Sequence, residues 1–233
     1  MKILVTKFRS PMMAWGVETM ENERPTADFP LKSHVAGLLG AALGIERRDV
    51  ESLSKLFGDF DYACRYDGEG SPQRLIDFHT ALRFKDTQAG AKRGIHRLTF
   101  LDRADPNFMH RKRWNKIAGQ SISKRHYIVD ATYTVLLHLH EKHFPLEEVV
   151  DSLNSPTYVL FFGRKCCLPS RPLFDAVIEA DTFLEAMAAT EPSRGLVWCE
   201  EPEGAVERLM VKDVPEFNSA RTYLTRAVYK HVM

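Results

Sequence analysis

Hydrophobic and polar positions change period several times along the chain, and each change predicts an element. Residues 2–8 (KILVTKF) alternate apolar with polar, the period of a strand buried on one face, and Ser10-Pro11 ends it. Residues 22–30 are a polar, proline-bracketed loop. From Leu31 the apolar residues Leu31, Val35, Leu38 and Ala42 fall on one helical stripe, with Ser33 as N-cap and Gly44 as stop. Gly37, Gly40 and Gly44 lie on the opposite side. A glycine inside a helix costs about 1 kcal/mol against alanine, so a packed element or a ligand is expected close to that backbone. Residues 62–66 and 77–84 read as strands around the turn-rich stretch 67–72 (DGEGSP). Residues 127–140 (YIVDATYTVLLHLH) are the clearest strand, rich in β-branched and aromatic side chains. Residues 145–154 predict a short helix with acids in its first turn, and 158–162 a further strand closed by Gly163.

The order β, α, β, insertion, β, α, β predicts an α+β fold. Its core is a ferredoxin-like or RRM-like βαββαβ unit over residues 1–168. A long basic β-hairpin insertion falls at about 84–126, between the second and third strands. From 169 to 233 the pattern weakens to short strands, at 174–180 and 209–211, which predicts a small, irregular, β-rich C-terminal subdomain.

Composition adds exclusions. The 233 residues are 44% hydrophobic and 27% charged, ordinary globular proportions that argue against disorder. The longest uncharged apolar stretch, 35–45, is 11 residues, short of the ~20 needed to cross a bilayer. Lys7 and Arg9 interrupt the N-terminal apolar segment, so it does not read as a secretory signal. The four cysteines show no Cys-x-x-Cys spacing. A soluble, cytoplasmic protein without a structural metal or cofactor is expected, with no membrane partner.

Charge changes the picture further. Net charge is +1, yet residues 83–126 hold twelve Lys or Arg against three acids, +9, which leaves −8 for the rest. Positive charge confined to one segment favours a polyanion over a solvated surface. Single-stranded RNA is held by cations on phosphates and by aromatic groups on bases. Trp114 sits inside Arg111-Lys112-Arg113-Trp114-Asn115-Lys116, and Tyr127 follows Lys124-Arg125-His126. Arg83 and Lys85 open the segment. Gly163-Arg164-Lys165 is a basic glycine turn whose N–H groups suit a phosphate, and Lys32 and Ser33 sit at a helix N-terminus, another anion site. Trp15 reads either as a core anchor or as a base-stacking residue. His138, His140 and His143 lack carboxylates at ligand spacing, and Cys166-Cys167 reads as two buried small residues. Walker, Gly-x-Ser-x-Gly and His-Glu-x-x-His motifs do not occur. Lys124, Arg125, His126 and Tyr127 are types suited to metal-free RNA cleavage, but alternation along a strand lets only two of them share a face.

Several ordered blocks carry a resemblance. Residues 10–16 (SPMMAWG), Arg24-Pro25-Thr26, Phe29-Pro30 and 37–45 (GLLGAALGI) come first. Residues 130–135 (DATYTV), 163–167 (GRKCC) and Pro172-Leu173-Phe174 follow. Together they closely resemble the CasD family of the RAMP superfamily, the CRISPR-associated subunit of type I-E Cascade. Residues 91–123 match none of these blocks. The resemblance implies an RRM-like core with a β-hairpin thumb and a non-catalytic RNA-binding role in antiviral defence. Such a subunit caps the crRNA by holding its 5′ handle, between the backbone subunit CasC and the large subunit CasA, and meets target DNA through the complex. The RNA-binding residues then expected are Trp15, Arg24, Lys32, Ser33, Arg83, Lys85, Arg111, Lys112, Arg113, Lys124, Arg125, His126, Arg164 and Lys165. The alternative is a metal-independent endoribonuclease processing precursor crRNA, as in the related type I-C subunit, with His126 as general base beside Lys124 and Tyr127.

Replacing Arg111, Lys112 and Arg113 together is expected to flatten the slope of log affinity for handle RNA against log salt. The change should reach up to ~2, at ~0.7 per single-strand phosphate contact. A salt titration that returns the wild-type slope would make this stretch a solvated loop.

Overall fold

The first strand is buried on both faces, and the rest of the sheet is arranged around it. The computed structural model describes residues 1–19, 22–85, 95–97, 116–216 and 222–233. Among them the strands are β1 (Lys2–Met13), β2 (Glu23–Arg24), β3 (Phe60–Tyr66), β4 (Arg74–Lys85), β5 (Ile95–Arg97), β6 (Lys116–Leu139), β7 (Phe174–Glu179), β8 (Leu196–Cys199), β9 (Glu207–Pro215) and β10 (Tyr223–Val232). The helices are α1 (Lys32–Ala42), α2 (Val50–Gly58), α3 (Leu146–Asn154) and α4 (Phe183–Ala189). One unit comprises residues 1–17, 26–75 and 127–233, the other 18–25 and 76–126.

In the first unit the strands run β7–β1–β6–β3–β8–β10–β9, with antiparallel pairing throughout. Leu4 pairs with Leu137 on one side and Val177 on the other. Leu4, Phe8, Tyr62, Tyr133 and Leu137 belong to a core shared with Val35, Leu38 and Leu39 of α1. Ile3, Val5, Ala63, Leu136 and Val197 belong to a second core with Phe183, Ala186 and Met187 of α4. The alternation in residues 2–8 therefore does not mark a solvent-facing side, as the sequence led us to expect. Lys2 is exposed, but the polar members within the strand are buried with partners: Thr6 Oγ1 donates to the Val135 carbonyl at 2.8 Å, and Lys7 Nζ reaches Asp67 Oδ2 at 3.1 Å. Arg65, fully buried, gives Nε to Asp67 Oδ1 at 2.8 Å and Nη2 to Thr134 Oγ1 at 3.1 Å.

Residues 158–162 correct the sequence reading. They form no strand, and the place beside β1 goes to β7. An apolar run can be buried without joining a ladder: Leu160 and Phe162 are buried, and Phe162 stacks on Phe8 with centroids 5.1 Å apart. Their backbone is tied by single bonds, Phe162 N–H to the Cys167 carbonyl at 2.8 Å and Ala14 N–H to the Phe162 carbonyl at 3.1 Å. Gly163 follows at φ +80°, where a Cβ would lie 1.8 Å from the Ala14 carbonyl oxygen. Only glycine fits there. Gly44, at φ +78° just past α1, is the stop the sequence predicted, held against Thr157.

In the second unit β5 pairs antiparallel with β4 (Phe84 opposite His96), β4 neighbours β6, and β2 runs parallel to β6 (Glu23 beside Lys124).

Two expected outcomes follow from the packing of the first unit. Asp67→Ala removes the carboxylate between two buried cations, so urea denaturation should show a loss of about 3–5 kcal/mol. A loss below 1 kcal/mol would mean the cations are otherwise satisfied. The second concerns His34, whose Nδ1 accepts the Leu31 N–H at 3.1 Å while its Nε2–H donates to the Gly16 carbonyl at 3.1 Å. Burial pushes its pKa down to about 4. Between pH 6.5 and about 4 the unfolded chain takes up the proton first, so this contribution is complete above pH 6.5 and falls with pH, by on the order of 1–3 kcal/mol. Wild type should therefore lose more stability than His34→Gln between pH 7 and pH 4.5. Equal losses would sink the assignment.

Candidate nucleic-acid interface

The second unit carries the basic segment, and its strands determine which cations are neighbours. The β2–β6 ladder sets Arg24 beside Arg125 and Glu23 beside Lys124. Lys124 N–H donates to the Asn22 carbonyl at 3.1 Å, closing the end of that ladder. Like charges on adjacent ladder positions repel, and Glu23 on the same short strand brings an acid beside them. Arg24 and Lys124 are exposed and Arg125 is half-buried. His126 Nε2 lies 2.8 Å from Glu23 Oε1. The Lys124 ammonium sits 5.8 Å from the centre of the Phe78 ring. Arg83 and Lys85 fall near the end of β4, and Arg111, Lys112 and Arg113 lie outside the described residues.

The first unit places the other expected residues differently. Trp15 is fully buried among Phe8, His34, Tyr133 and Phe162, with Phe162 5.5 Å away. Its backbone is clamped by Thr26, whose Oγ1 accepts the Trp15 N–H at 2.8 Å. Of its two sequence readings the geometry gives the core anchor, because no face of the ring is open to a base. The Arg24-Pro25-Thr26 block thus has a packing role through Thr26.

Lys32 and Ser33 are likewise corrected. Leu31, not Ser33, is the N-cap of α1. The anion at this helix start is the protein's own: Asp213 Oδ2 accepts the Lys32 N–H at 2.9 Å. Asp213 is wholly buried and is gripped by Arg226 through Nε at 2.8 Å and Nη2 at 2.9 Å. Lys32 Nζ turns over Phe57 and Phe60, 5.0 and 5.1 Å from their centres, and desolvation lowers its pKa. With the site filled and the ammonium folded onto aromatic rings, this helix end has no vacancy for a phosphate. The sequence reasoning missed Asp213 and Arg226, since nothing local links a β9 carboxylate to a helix made 180 residues earlier.

At the glycine turn, Gly163 N–H bonds the Phe161 carbonyl at 3.0 Å and its backbone abuts Ala14. The glycine serves close chain packing there. Arg164 lies with its guanidinium 4.3 Å from the centre of the buried Tyr127 ring, and Lys165 is exposed. Cys166 is exposed and only Cys167 is buried, with its thiol pushed up to about 12 by burial and by Cys166. The flanking Arg164 does not outweigh that. His140 pairs with Asp61 at 2.9 Å, and no group of three metal-ligating side chains occurs among the described residues. No helix among them is long and apolar enough to cross a membrane.

Comparison with known proteins agrees with this layout along nearly the whole chain. Residues 3–229 match the family described as CRISPR-associated protein (Cas_Cas5). The CRISPR system Cascade subunit CasD of Escherichia coli (strain K12) is 30% identical over 235 positions, covering 97% of this chain and 94% of that one. A solved structure described as a CRISPR RNA-guided surveillance complex shares the fold at 23% identity and TM-score 0.68, covering 99% of this chain and 90% of its own. A crystal structure of a Cas protein shares it at 24% identity and TM-score 0.61, covering 99% and 94%. The family match extends from β1 through α1 into β10, so the chain belongs to the CRISPR-associated Cas5 family as a Cascade subunit of the CasD kind.

Proposed function

We propose that this chain is a non-catalytic RNA-binding subunit of a type I-E Cascade complex, working in the cytoplasm. It caps the crRNA by holding its 5′ handle and bridges CasC to CasA, with target DNA reached through the assembled complex. The observation that carries this reading is whole-length likeness to a Cascade CasD at 30% identity. The strand order supports the architecture. Numbered within the core, β7–β1–β6–β3 is fourth, first, third, second, the order of a ferredoxin-like βαββαβ sheet. The second unit then corresponds to the thumb, and β8, β9 and β10 to a small C-terminal addition. Its cations supply the handle contacts, with Arg164 and Lys165 as contributors from the core.

The cleavage alternative would use His126 together with Tyr127, but Tyr127 is buried under Arg164. Purified protein incubated with repeat RNA in EDTA should bind without cutting. Specific cleavage that disappears in His126→Ala would overturn the non-catalytic reading. Co-purification from cells expressing the complex, with sequencing of the retained RNA, should return handle-bearing crRNA. Retention of RNA without a common 5′ sequence would overturn handle capping.

A further inference from the structure

The second unit exposes an apolar stripe that the basic segment alone does not explain. Phe78 is 63% exposed, Ile76 46% and Ile122 52%. Side chains two apart on a strand share a face, so Ile76 and Phe78 of β4 project together, as do Ile122, Lys124 and His126 of β6. The Lys124 ammonium over Phe78 shows that these two sets occupy one face. An exposed phenyl ring normally finds apolar cover, and leaving one in water on a regular strand forgoes the burial of a large hydrophobic surface. Here the ring is met instead by a cation, Lys124, which belongs to the segment 83–126 of net charge +9.

We propose that Phe78 is a stacking platform for one base of a bound single-stranded RNA, with Lys124 held beside it to meet that nucleotide's phosphate. Ile76 and Ile122 frame the ring with short apolar edges, against which the ribose and the rim of the base lie. Phe78 thereby deepens the RNA-binding reading proposed above and rests on it. Two features favour RNA over a protein partner. The stripe is three side chains wide and carries the Lys124 ammonium over its ring, whereas a protein-docking patch has its centre depleted of charge. A ring with a cation over it also presents the base-plus-phosphate chemistry of single-strand binding folds.

The test uses the full-length protein and a short single-stranded RNA of the repeat's 5′ handle, followed by fluorescence anisotropy. Phe78→Ala and Phe78→Leu should each weaken binding at least about fivefold, the lower end of the stacking range, while Phe78→Trp should bind at least as well as wild type. Leucine keeps the apolar surface and loses only the flat ring, so a wild-type affinity in Phe78→Leu would overturn stacking and assign the stripe to protein docking. Placing an abasic nucleotide at each position in turn locates the base. At one position the abasic RNA should cost the wild type as much as Phe78→Ala does, and should cost Phe78→Ala nothing further. Additive losses at every position would overturn the assignment. Wild-type protein that retains no RNA would overturn both this proposal and the RNA-binding function, whereas wild-type binding with all Phe78 variants unchanged would overturn the stacking role alone.

Discussion

One buried carboxylate organises the core. Asp67 lies just past β3 with its side chain 5% exposed and faces two cations, Lys7 from β1 and Arg65 from β3, while Thr134 of β6 hydrogen-bonds the same group. Two positive charges against one negative would be costly inside a protein without further acceptors. Carbonyls supply them: Lys7 Nζ reaches Glu191 O at 2.5 Å, and Arg65 Nη1 donates to Met187 O. Three strands and the segment around the end of α4 thus share a single polar node. The surrounding faces are apolar on both sides and would tolerate several registers by themselves. A one-residue slip of β1 would carry Lys7 away from Asp67 into hydrocarbon, so the node determines which register is formed.

A second buried pair governs where an anion can bind. The N-terminus of α1 has the N–H groups and dipole that attract phosphate, yet Asp213 occupies it from within the same chain, oriented by Arg226. An intramolecular carboxylate is always present at the site, and a ligand phosphate would have to displace it from both the helix start and Arg226, leaving that guanidinium with Glu200 alone. The same contact fastens the β9–β10 hairpin to the helix layer. What looks in the sequence like a receptor site is a structural joint.

Much of the fold was legible because its signals are local. The stripe of α1 with its Gly44 stop, the strand through residues 127–139 and the acids opening α3 all follow from periodicity and capping. Failures came where tertiary contacts decide. Residues 158–162 are apolar enough for a strand but fill a gap beside Phe8. The polar members of β1 looked solvent-facing because Asp67 and Val135, their partners, are distant in sequence. At the candidate interface, charge clustering was visible without a structure. Which cations share a face was not, and neither was the exposure of Phe78, since in sequence an aromatic residue on a strand looks the same whether it packs inward or outward.

The double-sided burial of β1 has a consequence for how the chain is made. Both of its ladder neighbours are synthesised much later, β6 pairing at Leu137 and β7 at Val177, and the carbonyls completing the Lys7 and Arg65 contacts lie at residues 187 and 191. As the chain emerges from the ribosome, this strand has no native ladder partner until β6 has been translated. A strongly apolar segment with unpaired edges waits through that interval, the situation in which nascent chains engage chaperones. The architecture that makes the finished core coherent also delays its closure until β6, β7 and the segment carrying Glu191 have all been made.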